Sequence, residues 1–426
     1  MRLVEGSDFR PGIGFSKLSN AWLAVGRTLS MTAMAGAGYL FSNWTGGIFP
    51  SAEVLTNQAT LKFMMQSNLI LQANFISNRF IPLAGTYQGL FFDTNEVEQS
   101  SSGFFNGTVS SNGLFTAKLQ QGATSYPLSG QFSLTGAWFT NSITGASNLS
   151  ARLQLDVSGQ DGLTGVLSNA QWTAQLTADR AVYSNGNPAP QAGKYTLVMP
   201  GRANSAEEPG GVGFGSVNVA TNGSVTFVGT LGDGTKVTQS SIVSKQGQWP
   251  LYTALYSGKG SLLGWLTFTN DADRDIDGGL NWIKPAGTTA GLYRAGFTNE
   301  LEAVGSGYVS TNGWRTLNLT NGVLILEGGN LAQALTNSFV LATNNALSGT
   351  NLSRLAITNT TGLFSGTLTN PATGKAISIS GAVLQKLNAG YGCFLGTNQS
   401  GWVYLGPVIQ VREPPSPPRK SPLPFP

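Results

Sequence analysis

The chain has 426 residues, enough for about two to four domains, and only 10% of them are charged. Its 24 basic and 20 acidic residues leave a net charge of +4 and are mostly scattered singly; the only basic cluster is Arg419-Lys420, a distribution that argues against a nucleic-acid surface. Histidine is absent and Cys393 is the only cysteine, which excludes histidine- and thiolate-based metal sites, Ser-His-Asp or Cys-His catalysis, and an internal disulfide.

The composition favours an all-β fold. Glycine reaches 56 residues without a G-X-Y period, which is typical of many tight turns between short strands. No long stretch keeps a 3.6-residue hydrophobic period, while 41% hydrophobic residues provide enough apolar surface for packed cores. We therefore predict a small N-terminal β-repeat followed by tandem antiparallel β-barrel or sandwich-like modules.

The first 82 residues predict one compact β unit with strands near 22–25, 28–33, 39–44, 59–64 and 69–75. Residues 38–46 read GYLFSNWTG, residues 61–65 read LKFMM and residues 68–75 read NLILQANF. These segments resemble the divergent internalin-type B-repeat of bacterial surface proteins. The resemblance covers residues 15–77 and implies an exported chain in which such repeats act as spacers or adhesive modules. With one copy and no signal-peptide pattern after Met1, we expect a fragment of a larger exported protein.

An internal repeat begins after residue 82. Residues 85–90 read GTYQGL and residues 193–198 read GKYTLV, which is 108 positions later (193 minus 85). Each is followed by an Asn-Gly turn, at 112–113 and 222–223, and then by an alternating segment. A third echo, TGLFSGTL, occupies residues 361–368. These signals predict hairpins within repeated modules.

Strand counting divides the chain into five segments. Alternation within 152–157, where Leu153 and Leu155 interleave with Arg152 and Gln154, is typical of a half-buried strand. The predicted divisions are a partial B-repeat-like unit 1–82, β modules at 83–190, 191–300 and 301–410, and a disordered proline-rich tail 411–426. The segments VLQK (383–386) and GCFLGT (392–397) resemble uncharacterised glycine-rich β-repeat modules of large exported bacterial proteins.

One acidic segment carries a candidate metal site. Asp273, Asp275, Asp277 and Gly278 match the first half of a calcium-binding loop, in which alternate side chains converge on the ion. The twelfth position of that loop is Lys284 where the motif needs Glu. The alternatives are a weak Ca²⁺ site and an acidic solvated turn; no other cofactor is expected.

Aromatic residues give a second candidate site. Trp249, Tyr252 and Tyr256 lie in one short segment, and exposed rings of this kind stack on sugars in carbohydrate-binding β modules. The alternative is that the rings fill a barrel core. Carboxylate-pair hydrolysis remains open in principle, with Asp93, Glu96, Glu98, Glu300 and Glu302 as the acids considered.

The sequence favours a structural or adhesive segment of a larger exported bacterial surface protein, secreted or on the cell surface, without catalysis. A polysaccharide or other cell-surface polymer is the expected partner; neither nucleic acid nor a membrane span is expected. A carbohydrate-binding module and a carboxylate-pair glycoside hydrolase are the two alternative functions.

Overall fold

The computed structural model describes residues 2–3, 14–16, 22–23, 25–48, 51, 53–146, 148–201, 207–287, 291–310 and 313–408. These residues form 32 strands and three short 3₁₀ turns, without an α-helix among them. The all-β prediction is confirmed. Among the same residues, no helix has the length and apolar character needed to cross a membrane. The predicted tail, 411–426, lies outside the described residues.

The N-terminal unit contains two three-stranded sheets, ordered β2-β4-β7 and β6-β5-β8, and a separate β1-β3 pair. Trp44, only 1% exposed, belongs to their shared core and donates from Nε1 to the Ala59 carbonyl at 3.0 Å. The strands are β1 Arg2–Leu3, β2 Gly14–Ser16, β3 Trp22–Leu23, β4 Thr28–Ala35, β5 Tyr39–Ile48, β6 Glu53–Thr56, β7 Thr60–Met64 and β8 Leu69–Ser77. The five predicted strands correspond to β3, β4, β5, β7 and β8, whereas β1, β2 and β6 were not predicted.

The unit is attached to the module that follows it through Phe80 and Leu40. Phe80 is 2% exposed and packs into the first module's core, and Leu40 packs against the same core. Asn78 reinforces the connection, since its Nδ2 donates to the Ser111 carbonyl at 2.8 Å.

Barrel 1 is an eight-stranded antiparallel meander in which the first strand pairs with the last. Alternation explains its strands: on β14, Ala151, Leu153 and Leu155 are buried while Arg152 and Gln154 are exposed, as predicted. The strands are β9 Gly85–Phe92, β10 Gly103–Val109, β11 Leu114–Gln121, β12 Thr124–Gln131, β13 Ala137–Thr140, β14 Ser150–Leu155, β15 Gly162–Ser168 and β16 Thr173–Arg180.

Barrel 2 repeats this topology. Its last strand contains the predicted division between residues 300 and 301, so the connection to the next module comes after Gly307. The strands are β17 Gly193–Met199, β18 Gly213–Val219, β19 Ser224–Thr230, β20 Lys236–Ile242, β21 Gln248–Leu255, β22 Gly260–Phe268, β23 Ile276–Lys284 and β24 Phe297–Gly307.

Barrel 3 is a third eight-stranded meander. Its sheet opens after the third strand, whereas the sheets of barrels 1 and 2 open after the fourth strand. The third sequence echo falls on its β28–β29 hairpin, a different place in the barrel from the other two copies. The strands are β25 Asn321–Gly328, β26 Leu335–Leu341, β27 Leu347–Ser348, β28 Leu352–Ile357, β29 Leu363–Thr369, β30 Ala376–Leu384, β31 Ala389–Leu395 and β32 Ser400–Gly406.

The 108-residue repeat has a structural basis in the opening strands of barrels 1 and 2. Gly85 pairs with Val109, and Gly193 pairs with Val219, at the same place in each sheet. Tyr87 donates its hydroxyl to the carbonyl of Leu83 at 2.8 Å, and Tyr195 makes the same bond, also 2.8 Å, to the carbonyl four residues before it. The sequence repeat therefore corresponds to the same first strand in barrels 1 and 2.

Each described barrel has one seam where neighbouring strands lack a ladder, between β12 and β13, β20 and β21, and β27 and β28. Pro127 and Pro250 stand in these edge strands, the usual place for proline in a sheet. In barrel 2 the Gln239 amide bridges the seam: Oε1 accepts from Trp249 Nε1 at 3.2 Å, and Nε2 donates to the Pro250 carbonyl at 3.3 Å. The sheets are thus nearly closed barrels.

The three barrels pack side by side in a row, and each interior is filled by its own hydrophobic cluster. Barrel 2 contacts barrel 1 through β21, β22 and β23, and contacts barrel 3 through a different set of strands, β17, β18 and β24. Strands at a junction are therefore buried on both faces. On β31, Phe394 faces the interior while Tyr391 and Cys393 pack against barrel 2, which explains a continuous apolar run.

Candidate functional site at the barrel junctions

The junction between barrels 1 and 2 has a small apolar centre around Tyr252. Its ring stacks on Phe104 with centroids 6.2 Å apart and packs with Leu90, Leu263 and Ile283. The Tyr252 hydroxyl accepts a hydrogen bond from the Gly122 amide of barrel 1 at 2.7 Å. An aromatic body with a satisfied polar tip is well suited to such an interface.

Gln99 adds a polar bridge to this junction. Its Oε1 accepts from the Ser261 hydroxyl at 2.7 Å, and its Nε2 donates to the Gly258 carbonyl at 3.2 Å. Because both partners belong to barrel 2, the single Gln99 amide fixes the relative position of the two barrels at this end.

A charged cluster lies at the other end of the same junction. Arg180 donates to Asp161 Oδ1 from Nε at 2.8 Å and from Nη2 at 2.5 Å. Lys245 of barrel 2 approaches Asp161 Oδ2 at 4.0 Å. Asp179 is the second carboxylate: burial raises its pKa to about 6, the hydroxyl of Ser244 counteracts part of the rise, and the charge of Asp161 adds to it.

Asp179 gives a pH-dependent prediction. Because its folded-state pKa lies above the ordinary carboxyl value, the folded protein binds more protons between about pH 4 and 6, and stability falls as the pH rises through that window. We expect Asp179→Asn to raise the free energy of unfolding by about 1–2 kcal/mol at pH 7.5 and to change it little at pH 4. Urea denaturation at both pH values measures this. An equal effect at the two would contradict the assignment.

The junction between barrels 2 and 3 is larger and more apolar. Val198 and Phe214 of barrel 2 pack against Tyr391, Trp402 and Tyr404 of barrel 3. Cys393 lies in the same layer, where burial raises the pKa of its thiol to about 12. A thiol with that pKa carries almost no thiolate at neutral pH, so Cys393 serves here as a small apolar residue.

A polar contact borders this layer at Ser400. The Tyr293 hydroxyl accepts from the Ser400 amide at 2.8 Å and lies 3.1 Å from its Oγ, and the Ser400 Oγ accepts from the Gly211 amide at 3.1 Å. A Cβ on Gly211 would come within 2.8 Å of the Cys393 Cβ. Glycine therefore allows the two backbones to approach here.

The acidic segment predicted to bind calcium contacts barrel 3. Asp275 Oδ1 lies 2.7 Å from the Lys386 ammonium, and Asp275 Oδ2 accepts from the Gly307 amide at 2.6 Å. Asp273 instead pairs with its neighbour Arg274, and Asp277 lies on β23. Among the described residues, no group of three His, Cys, Asp or Glu side chains is arranged to hold a metal ion. Calcium binding stays a prediction.

The three aromatic candidates do not form an exposed platform. Trp249 is fully buried in the interior of barrel 2, and Tyr252 is 5% exposed in the junction with barrel 1. Tyr256 packs against the barrel 2 core, and the Lys284 ammonium lies 4.3 Å from its ring centroid. Trp249 and Tyr256 thus pack with the core of barrel 2, and Tyr252 packs in the junction with barrel 1.

Lys284 takes part in a buried ion pair at the end of barrel 2. Its Nζ is 2.8 Å from Asp233 Oδ2, with side-chain exposures of 2% and 1%. Tyr256 donates to the same oxygen at 2.9 Å and accepts from Trp282 Nε1 at 3.0 Å, and the Thr235 amide donates to Oδ1 at 2.9 Å. Burial, followed by the negative charge of Asp233, raises the pKa of the Tyr256 hydroxyl.

The acids considered for hydrolysis occupy two separate places. Asp93, Glu96 and Glu98 belong to the β9–β10 connection, where Asp93 accepts from the Asn95 amide at 2.9 Å. Glu300 and Glu302 lie on the exposed face of β24. The N-terminal unit also carries an apolar surface groove of about 330 Å³ between β5, β7 and β8, which lies apart from these acids.

Sequence reasoning missed Asp233, Lys386 and Gln99 as junction or core residues. The available signal was a charged residue inside or next to an apolar strand of a charge-poor chain, as in Trp282-Ile283-Lys284. Such a residue is seldom buried unless it has a partner.

Comparison with known proteins relates one segment to a family. Residues 16–79 match the family described as "Divergent InlB B-repeat domain", which confirms the resemblance predicted for the N-terminal unit. No curated protein matches the chain significantly.

Several solved structures are distantly similar. Transferrin binding protein B from Haemophilus parasuis Hp5 is 12% identical, with 90% of this chain and 85% of that chain covered and a TM-score of 0.22. The isotype 1 transferrin binding protein B from serogroup B Neisseria meningitidis is 12% identical, with coverages of 95% and 88% and a TM-score of 0.21. Intact Ap-TbpB is 9% identical, with coverages of 93% and 86% and a TM-score of 0.20. At these TM-scores nothing about the partner of this chain follows.

Proposed function

We propose that this chain is a structural segment of a bacterial surface protein, in which a B-repeat is followed by three barrels held in a fixed row. The observation that carries the proposal is the pair of buried junctions. Each combines an apolar layer with hydrogen bonds from one barrel to the next, such as Gly122 to Tyr252 and Gly211 to Ser400. Contacts of this kind restrict relative movement of neighbouring domains.

The surface location draws its support from the N-terminal unit. B-repeats of the matched family are named after a bacterial surface protein, and residues 16–79 match that family. The sparse charge and the many neutral polar residues accord with this location. Protease added to intact cells of the producing organism should remove the chain from those cells, whereas full protection in intact cells, lost on lysis, would contradict a surface location.

A fixed row predicts a single shape in solution. We expect the small-angle scattering profile of the full chain to fit one rigid arrangement of the barrels. Leu90→Glu places a carboxylate in the apolar centre of the first junction, where the charge is desolvated without a partner. The variant should therefore adopt a wider range of barrel arrangements. Leu114→Glu, at a position of barrel 1 that is 48% exposed, is the matched control. A wild-type profile that needs many arrangements would contradict the proposal.

A further inference from the structure

The turn between β30 and β31 packs against barrel 2. This 3₁₀ turn, Gln385–Leu387, carries the Lys386 side chain to the loop of residues 269–275 that connects β22 and β23. The Lys386 amide donates to the Ser306 hydroxyl at 3.1 Å. Gln385 bonds the linker that follows barrel 2, accepting from the Val309 amide at 2.8 Å and donating to the Thr316 carbonyl at 3.2 Å.

Four oxygens of the loop surround the Lys386 ammonium. They are Asp271 O at 2.6 Å, Asp275 Oδ1 at 2.7 Å, Arg274 O at 3.3 Å and Asn270 Oδ1 at 3.4 Å. Two carbonyls, one amide oxygen and one carboxylate form a hard-oxygen set of the kind that binds cations. The second Asp275 oxygen is held by Gly307, which fixes the carboxylate toward the ammonium.

The charge of the segment favours a cation at this point. Residues 271–277 contain four aspartates and Arg274, so the formal charge is −3 (four negative, one positive). Lys386 is 27% exposed and Asp275 14%, so the pair is less screened by water than a surface pair would be.

We propose that the loop 269–275 is a cation-binding site for which the chain supplies its own cation, the primary ammonium of Lys386, and that this contact fixes barrel 3 on barrel 2. The inference rests on the proposed row of barrels and names the contact that holds its second joint. The charge that balances the loop comes from barrel 3, while the twelfth-position residue of the calcium-like sequence, Lys284, pairs with Asp233 inside barrel 2. With the ammonium removed, the same oxygens are available to Ca²⁺.

The test uses the full chain with spin labels at Val228→Cys and Val340→Cys, two positions that are each 48% exposed, on barrels 2 and 3. In the otherwise wild-type chain the interlabel distance distribution should be narrow and unchanged by CaCl₂. Lys386→Met removes the ammonium and keeps most of the apolar stem, and it should broaden the distribution. Addition of CaCl₂ should narrow it again with a midpoint of about 10⁻⁴–10⁻³ M, as in low-affinity extracellular sites. MgCl₂ should fail, because Mg²⁺ requires stricter geometry.

Lys375→Met, which removes an exposed lysine from the same barrel, is the matched control and should leave the distribution narrow. A Lys386→Met distribution as narrow as that of the wild type would overturn the inference and leave the proposed row of barrels intact. Broadening without a calcium response would overturn the cation site and leave an ordinary ion pair. A broad wild-type distribution would reject the proposed function itself.

Discussion

Lys284→Met is expected to lower the free energy of unfolding of barrel 2 by about 3–5 kcal/mol, because it leaves the Asp233 carboxylate buried without its cation. Both side chains are almost completely inaccessible, at 2% and 1%, so water cannot replace the lost partner. Tyr256 and the Thr235 amide still donate to Asp233, but neither neutralises its charge. Urea denaturation followed by hydrogen exchange in barrel 2 measures the loss.

A double variant separates the charge from the packing. Asp233→Asn combined with Lys284→Met removes both charges and keeps an oxygen that accepts from Tyr256 and Thr235. We expect it to recover most of the lost stability, because the cost of a broken buried pair comes mainly from the unpaired charge. Asp273→Asn, in an exposed pair with Arg274 (Asp273 side chain 54% exposed), serves as control and should cost about 0–1 kcal/mol. If Lys284→Met costs no more than this control, the buried pair does not stabilise the barrel.

The sequence contains enough information to place single strands. Alternation is visible wherever one face of a strand meets solvent, as on β14, and five of the eight described strands of the N-terminal unit follow predicted positions. The recurrence of Gly85 and Gly193 also identified a true repeat, because both glycines open the first strand of a barrel and precede a tyrosine that bonds back to the chain.

The side-by-side packing was not predictable in the same way. A strand such as β32, with Val403 and Leu405 inside the barrel and Trp402 and Tyr404 against barrel 2, is hydrophobic at four successive positions. Such a run indicates that both faces of the strand are buried, but it does not identify the element that covers each face. The partners in the junctions are also far apart in the chain: Lys386 lies 111 residues after Asp275 (386 minus 275).

One feature of the aromatic segment did argue against a sugar platform. Successive side chains of a strand point to opposite faces, so Trp249 and Tyr252, three residues apart, belong on different sides of β21. The structure places Trp249 in the interior of barrel 2 and Tyr252 against barrel 1. The sequence does not show which of the two faces is outward or that a second barrel covers it, because both depend on tertiary packing.

Trp249→Ala is therefore expected to destabilise barrel 2 by about 3–5 kcal/mol, in the range for truncating a buried large aromatic residue. The indole packs edge-on to Phe227 at 6.1 Å and tilts against Phe268 at 6.2 Å, so its removal opens a cavity between them. It also removes the donor to Gln239, one of the two bonds by which that amide bridges the seam. Because both the packing and the hydrogen bond are lost, amide hydrogens at the β20–β21 edge should exchange faster than those in the rest of the barrel.

Phe139→Ala is the matched control, since Phe139 is a large aromatic on barrel 1 with 66% of its surface exposed and should cost little stability. Urea denaturation gives the free energies, and hydrogen exchange locates the change to β20 and β21. Retention on immobilised polysaccharide, measured for the same proteins, distinguishes the two interpretations of Trp249. If Trp249→Ala keeps wild-type stability and loses retention on the column, the ring binds sugar and does not fill the core. If the variant is destabilised and its folded fraction is retained like the wild type, Trp249 belongs to the core and helps to close the barrel.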